Sequence, residues 1–498
     1  MSFTSSAAPT FSPVDLSYAA ALRGLTPRAP GATFNYAQIV IENVESILCL
    51  AASNPEGRFF GLTDNDGLAT EGQNLADQRQ VANISFLASP FERLAKEDSV
   101  LPALDMLVCD AAAQALSADR RDALFALAEK KVKPTGLFAY RYQAYPNVAS
   151  ILRFLVNELA PDMSVAQANV FLSEIKYLGS GWIETQPALK ASLDQAIAKA
   201  VPDAFFAQFA DKEPVKAESF ATMEGLLPRG FSFVGDAVPA SNYRELSTAP
   251  AAHAILEKCK ASLFYEIVKD FAMQRLVRND VWCRLPATLS SDLGALFGSF
   301  TYGMTMPRDR VPGSITVFDK QIDLTQPLFA GMIDLMTLLP MTIGDFLKHP
   351  NGKDFTPENA VEAMQVLIAL GFAQPMRTSY QGASKAPTDL PHWALGYNAF
   401  HNVTPVVSSK VRFASKIVGG SVTLPARDAL VLQAIGRVGL QNSAGAVFLE
   451  MQRIAKDPIL ANEVMQTTAP TPEMADEITK NTVASSLVRW YAYGLLAA

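Results

Sequence analysis

The sequence predicts an α/β protein whose first domain contains a doubly wound parallel sheet and whose later domains are helical or mixed α+β. Short apolar runs alternate with helical stretches between Thr33 and Gly136. Apolar residues at helical spacing dominate residues 148–245, and residues 301–345 mix strand-like runs with Pro and Gly turns. Strands that alternate with helices pair in parallel through right-handed crossovers, and ligands of such sheets bind at the carboxyl ends of the strands.

In the first region the strands are short apolar runs bounded by turn residues. Predicted strands occupy Ala37–Ile41, Arg58–Leu62, Ile84–Leu87, Leu104–Cys109 and Leu137–Tyr142. Helices are predicted between them at Val44–Ala52, Leu68–Gln80 and Ser117–Lys131. Asn54-Pro55 ends the first helix because the residue before a proline avoids helical backbone, and Ser117 is a suitable N-cap for the last helix.

Further along the chain the apolar period predicts mainly helices. They are expected at Ile151–Leu159, Leu189–Val201, Ala251–Arg278, Thr356–Leu370, Arg427–Leu440 and Glu473–Leu496. The Thr-Pro-Glu-Asn sequence at Thr356 combines an N-cap residue with a proline in the first turn. Residues Ser415–Val422 are predicted as a strand that bends at Gly419-Gly420.

The composition indicates a folded protein and argues against several functional classes. The chain has 498 residues, a net charge of −7, 49% hydrophobic residues and 18% charged residues, which is ample material for a core. An acidic chain is poorly suited to phosphate backbones, so we expect no nucleic-acid partner. Four cysteines argue against a disulfide framework, and four widely spaced histidines argue against a metal site.

No targeting or membrane segment is predicted. Residues Met1–Pro13 carry no Lys or Arg and lack the basic start and apolar run of a signal peptide. The most apolar stretch, Leu328–Met341, contains Asp334 and is too short to span a bilayer. We therefore expect a cytoplasmic protein with no membrane span.

Several segments resemble those of a known family and occur in the same order. They are LAASNP before FFG, NISF, LDMLVCD before SADRR, VKPTGLFAYRYQAYPN, FSFVGDAVPASNY, YEIVKDFAMQRLVRNDVW and FASKIVGGSVTL. Over residues 35–425 they resemble bacterial class I S-adenosylmethionine-dependent methyltransferases that carry a methyltransferase regulatory domain, a group that includes protein-lysine methyltransferases. The resemblance implies a Rossmann-like class I methyltransferase domain, S-adenosylmethionine as the cofactor of an active member, a protein substrate and a dimer.

The resemblance and the composition together divide the chain into five regions. Residues 1–30 form an N-terminal arm, and residues 31–147 form the methyltransferase-like Rossmann domain. Residues 148–245 are a helical insertion or dimerisation region. Residues 246–345 form a middle domain that resembles the regulatory region, and residues 346–498 form the C-terminal domain.

At the cofactor positions implied by the resemblance, this chain departs from the family pattern. The family has glycines in its first loop, because a backbone without Cβ atoms can turn sharply and approach the cofactor. In this chain those positions are occupied by Val40, Glu42 and Val44. The acidic residue at the end of the first strand is replaced by Gln38. The acidic residue that holds the ribose hydroxyls is replaced by Thr63, with Asp64 beside it.

The positions implied to face the substrate also differ. The family's His-Gly pair after the fourth strand corresponds to Asp110-Ala111, and its Ser-Tyr-Asn corresponds to Arg141-Tyr142-Gln143. If the chain is active, the resemblance implies that Asp110 and Tyr142 face the reacting amine. Methyl transfer to lysine mainly requires positioning and desolvation of the amine.

Three further features each have a functional and a structural interpretation. Asp105 and Asp110 are candidates for a carboxylate pair, but the favoured interpretation is a strand cap and a loop residue. Cys109 lies at a strand end, yet no His is near it in sequence, so a small buried apolar role is favoured. The aromatic tail helix, Glu473–Leu496, suits a dimer seam or packing within the C-terminal domain.

A basic cluster near residue 280 also has two interpretations. Arg275, Arg278 and Arg284 with Trp282 suit docking of carboxylates or nucleic acid. The favoured interpretation is a solvated helix face on which these arginines pair with Asp270 or Asp280.

Two functions from different classes follow. The first is a non-catalytic pseudo-methyltransferase that binds or regulates another protein, as a homodimer or as a heteromer with an active methyltransferase. Its basis is that the segments keep the order of the family while the glycines and acidic residues of the cofactor loop are replaced. The second is an active S-adenosylmethionine-dependent protein-lysine methyltransferase with an altered pocket. A structural subunit without a ligand is a third, weaker alternative.

Overall fold

The structure is a computed structural model. It describes residues 11–29, 31–41, 43–96, 101–110, 116–145, 151, 154–156, 163–206, 218–260, 264–378, 392–402, 410–455 and 470–497.

A seven-stranded sheet organises the first half of the chain. Its strands are β1 Phe34–Ile39, β2 Gly57–Thr63, β3 Ile84–Ala88, β4 Leu104–Asp110, β5 Val132–Gln143, β6 Phe231–Asp236 and β7 Val277–Arg284. Their spatial order is β3-β2-β1-β4-β5-β7-β6. Strands β1 to β5 run parallel, whereas β7 is antiparallel to both of its neighbours. The predicted α/β fold class is confirmed.

The strand order reverses between β1 and β4, which places a topological switch point at their carboxyl ends. The strands there are almost continuously apolar because both faces of the sheet are covered. In β4, for example, Leu107, Val108 and Cys109 are fully buried. The fold therefore predicts a ligand site between the turn after β1 and the end of β4, where the sequence also places the candidate site.

Helices that connect the parallel strands cover the two faces of the sheet. They are Glu45–Ser53, Asp66–Gln78, Phe91–Lys96 and Ala118–Lys131. Side-chain caps define two of their starts: Asn65 accepts a hydrogen bond from the Leu68 amide at 3.1 Å, and Ser117 accepts one from the Arg120 amide at 3.4 Å. The predicted Ser117 cap is thus confirmed.

The prediction of one long helix over Ala251–Arg278 is wrong. The chain forms two helices, Pro250–Cys259 and Tyr265–Met273, and then enters strand β7. Strand β7 carries Arg278, Asn279 and Asp280 in succession, and the sequence alone predicts that its charged residues lie on a solvated helix face. Because both faces of β7 are buried, its charged residues pair inside the protein instead of facing water.

The last two strands come from segments outside the predicted Rossmann region of residues 31–147. Strand β6 lies within residues 148–245, and β7 lies within residues 246–345. Between β5 and β6 the described chain is helical, as the period predicts, with helices Val165–Leu178, Ser180–Ile183, Pro187–Lys199, Pro202–Phe206 and Glu218–Leu226. The five-region division remains a prediction, but the sheet itself extends to Arg284.

The remaining chain mixes helices with two-stranded antiparallel pairs. Helices occupy Arg244–Ser247, Leu293–Phe297, Pro327–Leu338, Ile343–Lys348, Pro357–Ala369, Ala426–Val438, Ser443–Ile454 and Pro472–Ala492. The pairs are Thr301–Met304 with Ala373–Met376, Ser314–Val317 with Lys320–Asp323, His392–Trp393 with Leu496–Ala497, and Lys410–Ser415 with Gly420–Pro425. Among the described residues, no helix combines the length and apolar character needed to cross a bilayer.

Two C-terminal expectations are resolved. The strand predicted at Ser415–Val422 is a hairpin instead, because the glycines at the predicted bend reverse the chain, and Gly419 has a φ of 74°. The aromatic residues of the tail helix pack inside the chain: Trp490, Tyr491 and Tyr493 are buried in the C-terminal core. Packing within the C-terminal domain is therefore the interpretation that the structure supports.

This hairpin fastens the C-terminal region to the first helix of the sheet domain. Ser53 Oγ donates to the Gly420 carbonyl at 2.9 Å, and Asn54 Nδ2 donates to the Gly419 carbonyl at 2.9 Å. The Ser415 amide in turn donates to Ser53 Oγ at 3.1 Å. All three bonds are buried, so the two regions share a specific polar contact rather than a loose apolar one.

Candidate functional site

The turn after β1 is filled by its own side chains. Val40 and Val44 are 3% and 2% exposed and belong to the apolar cluster that includes Ile47 and Leu48. The Val40 amide donates to the Leu62 carbonyl at 2.7 Å, which continues the hydrogen bonding of the sheet beyond β1. Glu42 lies outside the described residues. The two valines thus contribute to the core at positions where the resemblance implies bare main chain.

Gln38 is also buried, on β1 before this turn. Its Nε2 donates to Ser46 Oγ at 3.1 Å. Its Oε1 has no hydrogen-bond partner among the described residues. A buried acceptor without a partner costs free energy, so a bound donor would stabilise this oxygen.

The two ribose candidates at the end of β2 differ in exposure. Thr63 is buried, and its Oγ1 accepts a hydrogen bond from the Asn65 amide at 3.2 Å. The Asp64 side chain is 53% exposed and accepts a hydrogen bond from Arg120 Nη2 at 2.7 Å. Thr63 therefore serves the local turn, whereas Asp64 presents a carboxylate to solvent beside a cation.

Asp110 and Tyr142 lie on opposite faces of the sheet. Asp110 is paired in register with Arg141, whose Nη1 lies 3.3 Å from Asp110 Oδ2. Because neighbouring residues of a strand point to opposite faces, Tyr142 points away from this ion pair. The structure therefore does not bring the two predicted catalytic side chains together. Their catalytic assignment stays a prediction.

The Tyr142 hydroxyl lies in a buried polar cluster. It donates to Asp280 Oδ2 at 2.9 Å, and its ring stacks on Tyr140 with centroids 4.5 Å apart. Burial, and then the neighbouring Asp280 carboxylate, raise the pKa of Tyr142 well above its ordinary value. A phenol in this setting stays protonated and acts as a donor to Asp280.

Arg278 is the centre of this cluster and is 1% exposed. Its Nε donates to Asp280 Oδ1 at 2.8 Å, and its Nη1 donates to Asp270 Oδ2 at 2.8 Å. Its Nη2 donates to Glu266 Oε2 at 3.2 Å. The predicted pairing with Asp270 and Asp280 is thus confirmed, but the predicted solvated helix face is wrong.

Two more cations complete the network. Arg275 Nη1 donates to Asp236 Oδ2 at 2.8 Å, and Lys269 Nζ lies 3.9 Å from Glu266 Oε1. The four carboxylates of this network exceed its three cations by one, so its charge favours uptake of a proton. Sequence analysis missed Glu266, Lys269 and Asp236 as members of it. The available signal was three charged residues at positions 266, 269 and 270, on one side of an otherwise apolar helix.

Burial and neighbouring charges give the carboxyl groups of the network different pKa values. Burial raises the pKa of Asp280 to about 6, although Arg278 and Tyr142 partly oppose the rise. Burial also disfavours the Glu266 carboxylate, but Lys269 and Arg278 outweigh it and hold its pKa below the ordinary value. Burial raises the pKa of Asp270 as well, so Asp270 and Asp280 are the carboxyl groups of the cluster in which burial favours the protonated form.

The other sequence candidates are structural. Asp105 Oδ2 accepts from the Asn35 amide and from Lys133 Nζ, both at 2.8 Å, at the start of β4. Asp105 and Asp110 stand at opposite ends of that strand, about 16 Å apart at the usual rise per residue. Cys109 is fully buried, and burial raises its thiol pKa. Among the described residues, no group of three or more potential metal ligands is found.

Comparison with known proteins gives matches to the fold of the whole chain and to one of its segments. Residues 211–284 match the family model described as a predicted methyltransferase regulatory domain. PKMT2 of Rickettsia typhi in complex with AdoHcy has 13% sequence identity and a TM-score of 0.63, and the likeness covers 98% of this chain and 99% of that one. A second structure of PKMT2 gives 14% identity and a TM-score of 0.63 over 98% of each chain.

A curated relative also matches almost end to end. An uncharacterized protein of Synechocystis sp. is 21% identical over 483 residues, which is 94% of this chain and 93% of that protein. The resemblance inferred from the sequence is confirmed: the chain has the fold of class I methyltransferases and carries a methyltransferase regulatory region. The regulatory match contains β6, β7 and most of the buried ionic cluster.

Proposed function

We propose that this chain is a non-catalytic relative of the S-adenosylmethionine-dependent protein methyltransferases and acts as a protein-binding or regulatory module in the cytoplasm. The observation that carries the proposal is the burial of Val40 and Val44 in the core at the turn after β1. If the turn took the path that glycines allow, so that the methionine part of the cofactor could approach its main chain, the two valine side chains would be withdrawn from the core. Each valine loses about 1.5–3 kcal/mol of burial energy on leaving.

The positions around the turn support the same proposal. Thr63 stands where the family has a ribose-binding carboxylate, and its hydroxyl oxygen accepts a hydrogen bond from the Asn65 amide. Tyr142 is held by Asp280 on the face away from Asp110. A pocket that catalyses methyl transfer needs its donor site and its amine site to converge, since the reaction depends on alignment.

Calorimetric titration of the full chain with S-adenosylhomocysteine tests the proposal. We expect no binding tighter than about 1 mM, because the turn offers side chains in place of main-chain donors. Rickettsia typhi PKMT2, whose AdoHcy complex is known, serves as the positive control in the same buffer. Micromolar binding to this chain, lost on Asp64→Ala, would overturn the proposal.

The second candidate is an active protein-lysine methyltransferase with an altered pocket. It is favoured by the unpartnered Gln38 Oε1, the exposed Asp64 carboxylate and the end-to-end likeness to a protein solved with AdoHcy. In that case S-adenosylmethionine would lie over Gln38–Val44, with Thr63 or Asp64 at the ribose. Methylation of a lysine substrate that Tyr142→Phe and Asp64→Ala both abolish would establish this candidate.

A module without its own chemistry acts through a partner, so we propose that the chain works as a homodimer or together with an active methyltransferase. Sedimentation equilibrium of the purified chain distinguishes the two. The homodimer predicts twice the chain mass of 53.8 kDa. A monomer that joins an added paralogous methyltransferase in a single sedimenting species supports the heteromer, and a monomer that ignores it contradicts both.

A further inference from the structure

A cavity of about 500 Å³ lies against the buried ionic cluster. Strands β6 and β7, the helix Tyr265–Met273 and the segment 242–245 contribute to its wall. Its volume falls in the range of small-molecule sites, about 300–1,000 Å³. Every lining residue except Arg23 belongs to residues 211–284, the part that matches the regulatory-domain model. None of the cofactor positions near β1 and β2 lines it.

The wall combines aromatic rings with buried charges. Phe233, Tyr243, Tyr265 and Trp282 line the cavity. Phe233 and Trp282 meet edge to face, with ring centroids 5.3 Å apart. Rigid aromatic walls with a few polar groups between them are typical of sites for compact organic molecules.

The carboxylates of the wall already have partners. Glu266 and Asp280 both accept hydrogen bonds from Arg278. Glu245 and Glu257 both accept hydrogen bonds from Arg244, at 2.9 Å each. A cationic ligand would have to compete with Arg278 or Arg244 for every one of the four carboxylates.

Hydrogen-bond donors, in contrast, remain available. The Lys269 side chain is 5% exposed, and the nearest carboxylate among the residues that the structure describes is that of Glu266, 3.9 Å from its ammonium and beyond hydrogen-bond distance. The indole N–H of Trp282, itself fully buried, has no acceptor among the described residues. Arg23 at the rim forms no ion pair with any part of the chain that the structure describes. A buried ammonium that makes no hydrogen bond to an anion is costly, and a ligand anion that accepts such a bond would relieve that cost.

We infer that this cavity binds a small anionic molecule, one that carries a carboxylate or phosphate group on an aromatic or apolar body. The Lys269 ammonium and the Trp282 N–H hold the anion, Arg23 adds positive charge at the entrance, and the aromatic wall holds the body. Asp280 belongs both to the wall and to the hydrogen bond with Tyr142. A ligand here therefore lies beside the hydrogen bond between Asp280 and Tyr142, whether or not the chain transfers methyl groups.

Calorimetry of the full chain with benzoate, phenyl phosphate and neutral benzamide at pH 7 tests this inference. At least one anion should bind saturably and at least about tenfold more tightly than benzamide, which corresponds to about 1.4 kcal/mol. The anion with the lower dissociation constant shows whether the cavity prefers a carboxylate or a phosphate group. Absence of saturable binding of both anions up to about 10 mM, or equal binding of benzamide, overturns the inference.

Variants locate the binding in this cavity. Lys269→Met keeps the apolar stem and leaves Glu266 paired with Arg278, and it should weaken the preferred anion at least about tenfold. The matched control is Lys260→Met at the rim, where the side chain is 72% exposed and bonds Glu257; its effect should stay below about threefold. Equal affinity of Lys269→Met and the natural chain refutes the assignment.

A second variant covers the case in which Lys269→Met does not fold. Trp282→Phe retains an aromatic wall but removes the N–H donor, and it should weaken anion binding about threefold to tenfold. Benzamide binding should not change, because the apolar body keeps its contacts. An unchanged anion affinity in folded Trp282→Phe contradicts the role given to the indole.

Discussion

At the scale of single residues, Tyr142 shows how a sequence match and a structural role diverge. The sequence places it where the family has an aromatic, and that correspondence suggested a group facing a substrate amine. The structure instead joins its hydroxyl to Asp280 within a buried ionic cluster. This bond could not be predicted from a sequence pattern, because its two partners are separated by 138 positions and lie on different strands. The role of Tyr142 in this cluster can be measured without any assumption about catalysis.

Tyr142→Phe should lower the free energy of unfolding by about 1.5–3 kcal/mol, since it removes a buried hydrogen bond to an ionisable carboxyl group. Urea denaturation at pH 7.5 measures the loss. Tyr145→Phe is the matched control: its hydroxyl pairs with neutral Ser219 at 3.1 Å, and its removal should cost only about 0.5–1.5 kcal/mol. Equal costs for the two variants would argue against a charged acceptor at Asp280.

The raised pKa of Asp280 predicts a pH dependence of stability. Its value of about 6 in the folded chain lies above the ordinary value of 3.8, so the folded state binds the proton more tightly than the unfolded state does. The stabilisation from that proton is complete below pH 4 and is lost as the pH rises through 6. The free energy of unfolding, relative to Asp280→Asn, should therefore fall by about 2–3 kcal/mol between pH 4 and pH 7.

Denaturation of both proteins at each pH checks this, and the Asn variant controls for every other titrating group. A difference that stays constant or rises across this interval would show that Asp280 is ionised throughout.

At the scale of elements, local signals located the parallel strands but failed at β7. Apolar runs identify β1 to β5 because strands covered on both faces must be apolar. Strand β7 is also covered on both faces, yet it carries Arg278 and Asp280, which neutralise one another inside the protein. From sequence alone, charged residues at this spacing predicted an exposed helix. Only the partners on neighbouring elements reveal that the charges are internal.

Packing between the helix Asp66–Gln78 and the sheet depends on a glycine. A Cβ added at Gly72 would lie 2.5 Å from the ring of Phe86, which also packs against Gly61. Gly72→Ala should therefore destabilise the chain by about 1–3 kcal/mol despite the better helix propensity of alanine. Gly445→Ala, in a helix where nothing lies within 4 Å of the new Cβ, should stabilise it by up to about 1 kcal/mol. Thermal unfolding of both variants tests the contrast; stabilisation by Gly72→Ala would contradict it.

At the scale of the whole molecule, the order of the segments predicted the architecture better than it predicted the site. The fold class was predictable because the alternation of elements and the family resemblance agree. The positions Gln38, Val40, Val44 and Thr63 were identifiable as departures, but their burial and partners required the structure. The cavity beside Lys269 was not predictable, since it depends on strands and helices brought together from distant parts of the chain.

The attachment of the C-terminal region should depend on Asn54. Asn54→Ala removes the donor to the Gly419 carbonyl and leaves that buried acceptor unpaired, at a cost of about 1–3 kcal/mol. Limited proteolysis should then cut the hairpin Lys410–Pro425 about tenfold faster. Asn83→Ala is the control, because its amide bonds only Ala51, Asn54 and Gly57 carbonyls within the sheet domain. An equal acceleration in both variants would indicate general destabilisation instead.

The position of β7 between β5 and β6 limits how this gene can be divided. A fragment that stops at residue 147 would expose those main-chain amides and carbonyls of Leu137–Gln143 that pair with β7 in the intact chain. An unpaired strand edge of this kind can pair with the edge of another molecule, so this fragment would aggregate or form non-specific oligomers. The segment that matches the regulatory-domain model supplies two strands of the sheet, so an expressible N-terminal fragment has to continue at least to Arg284.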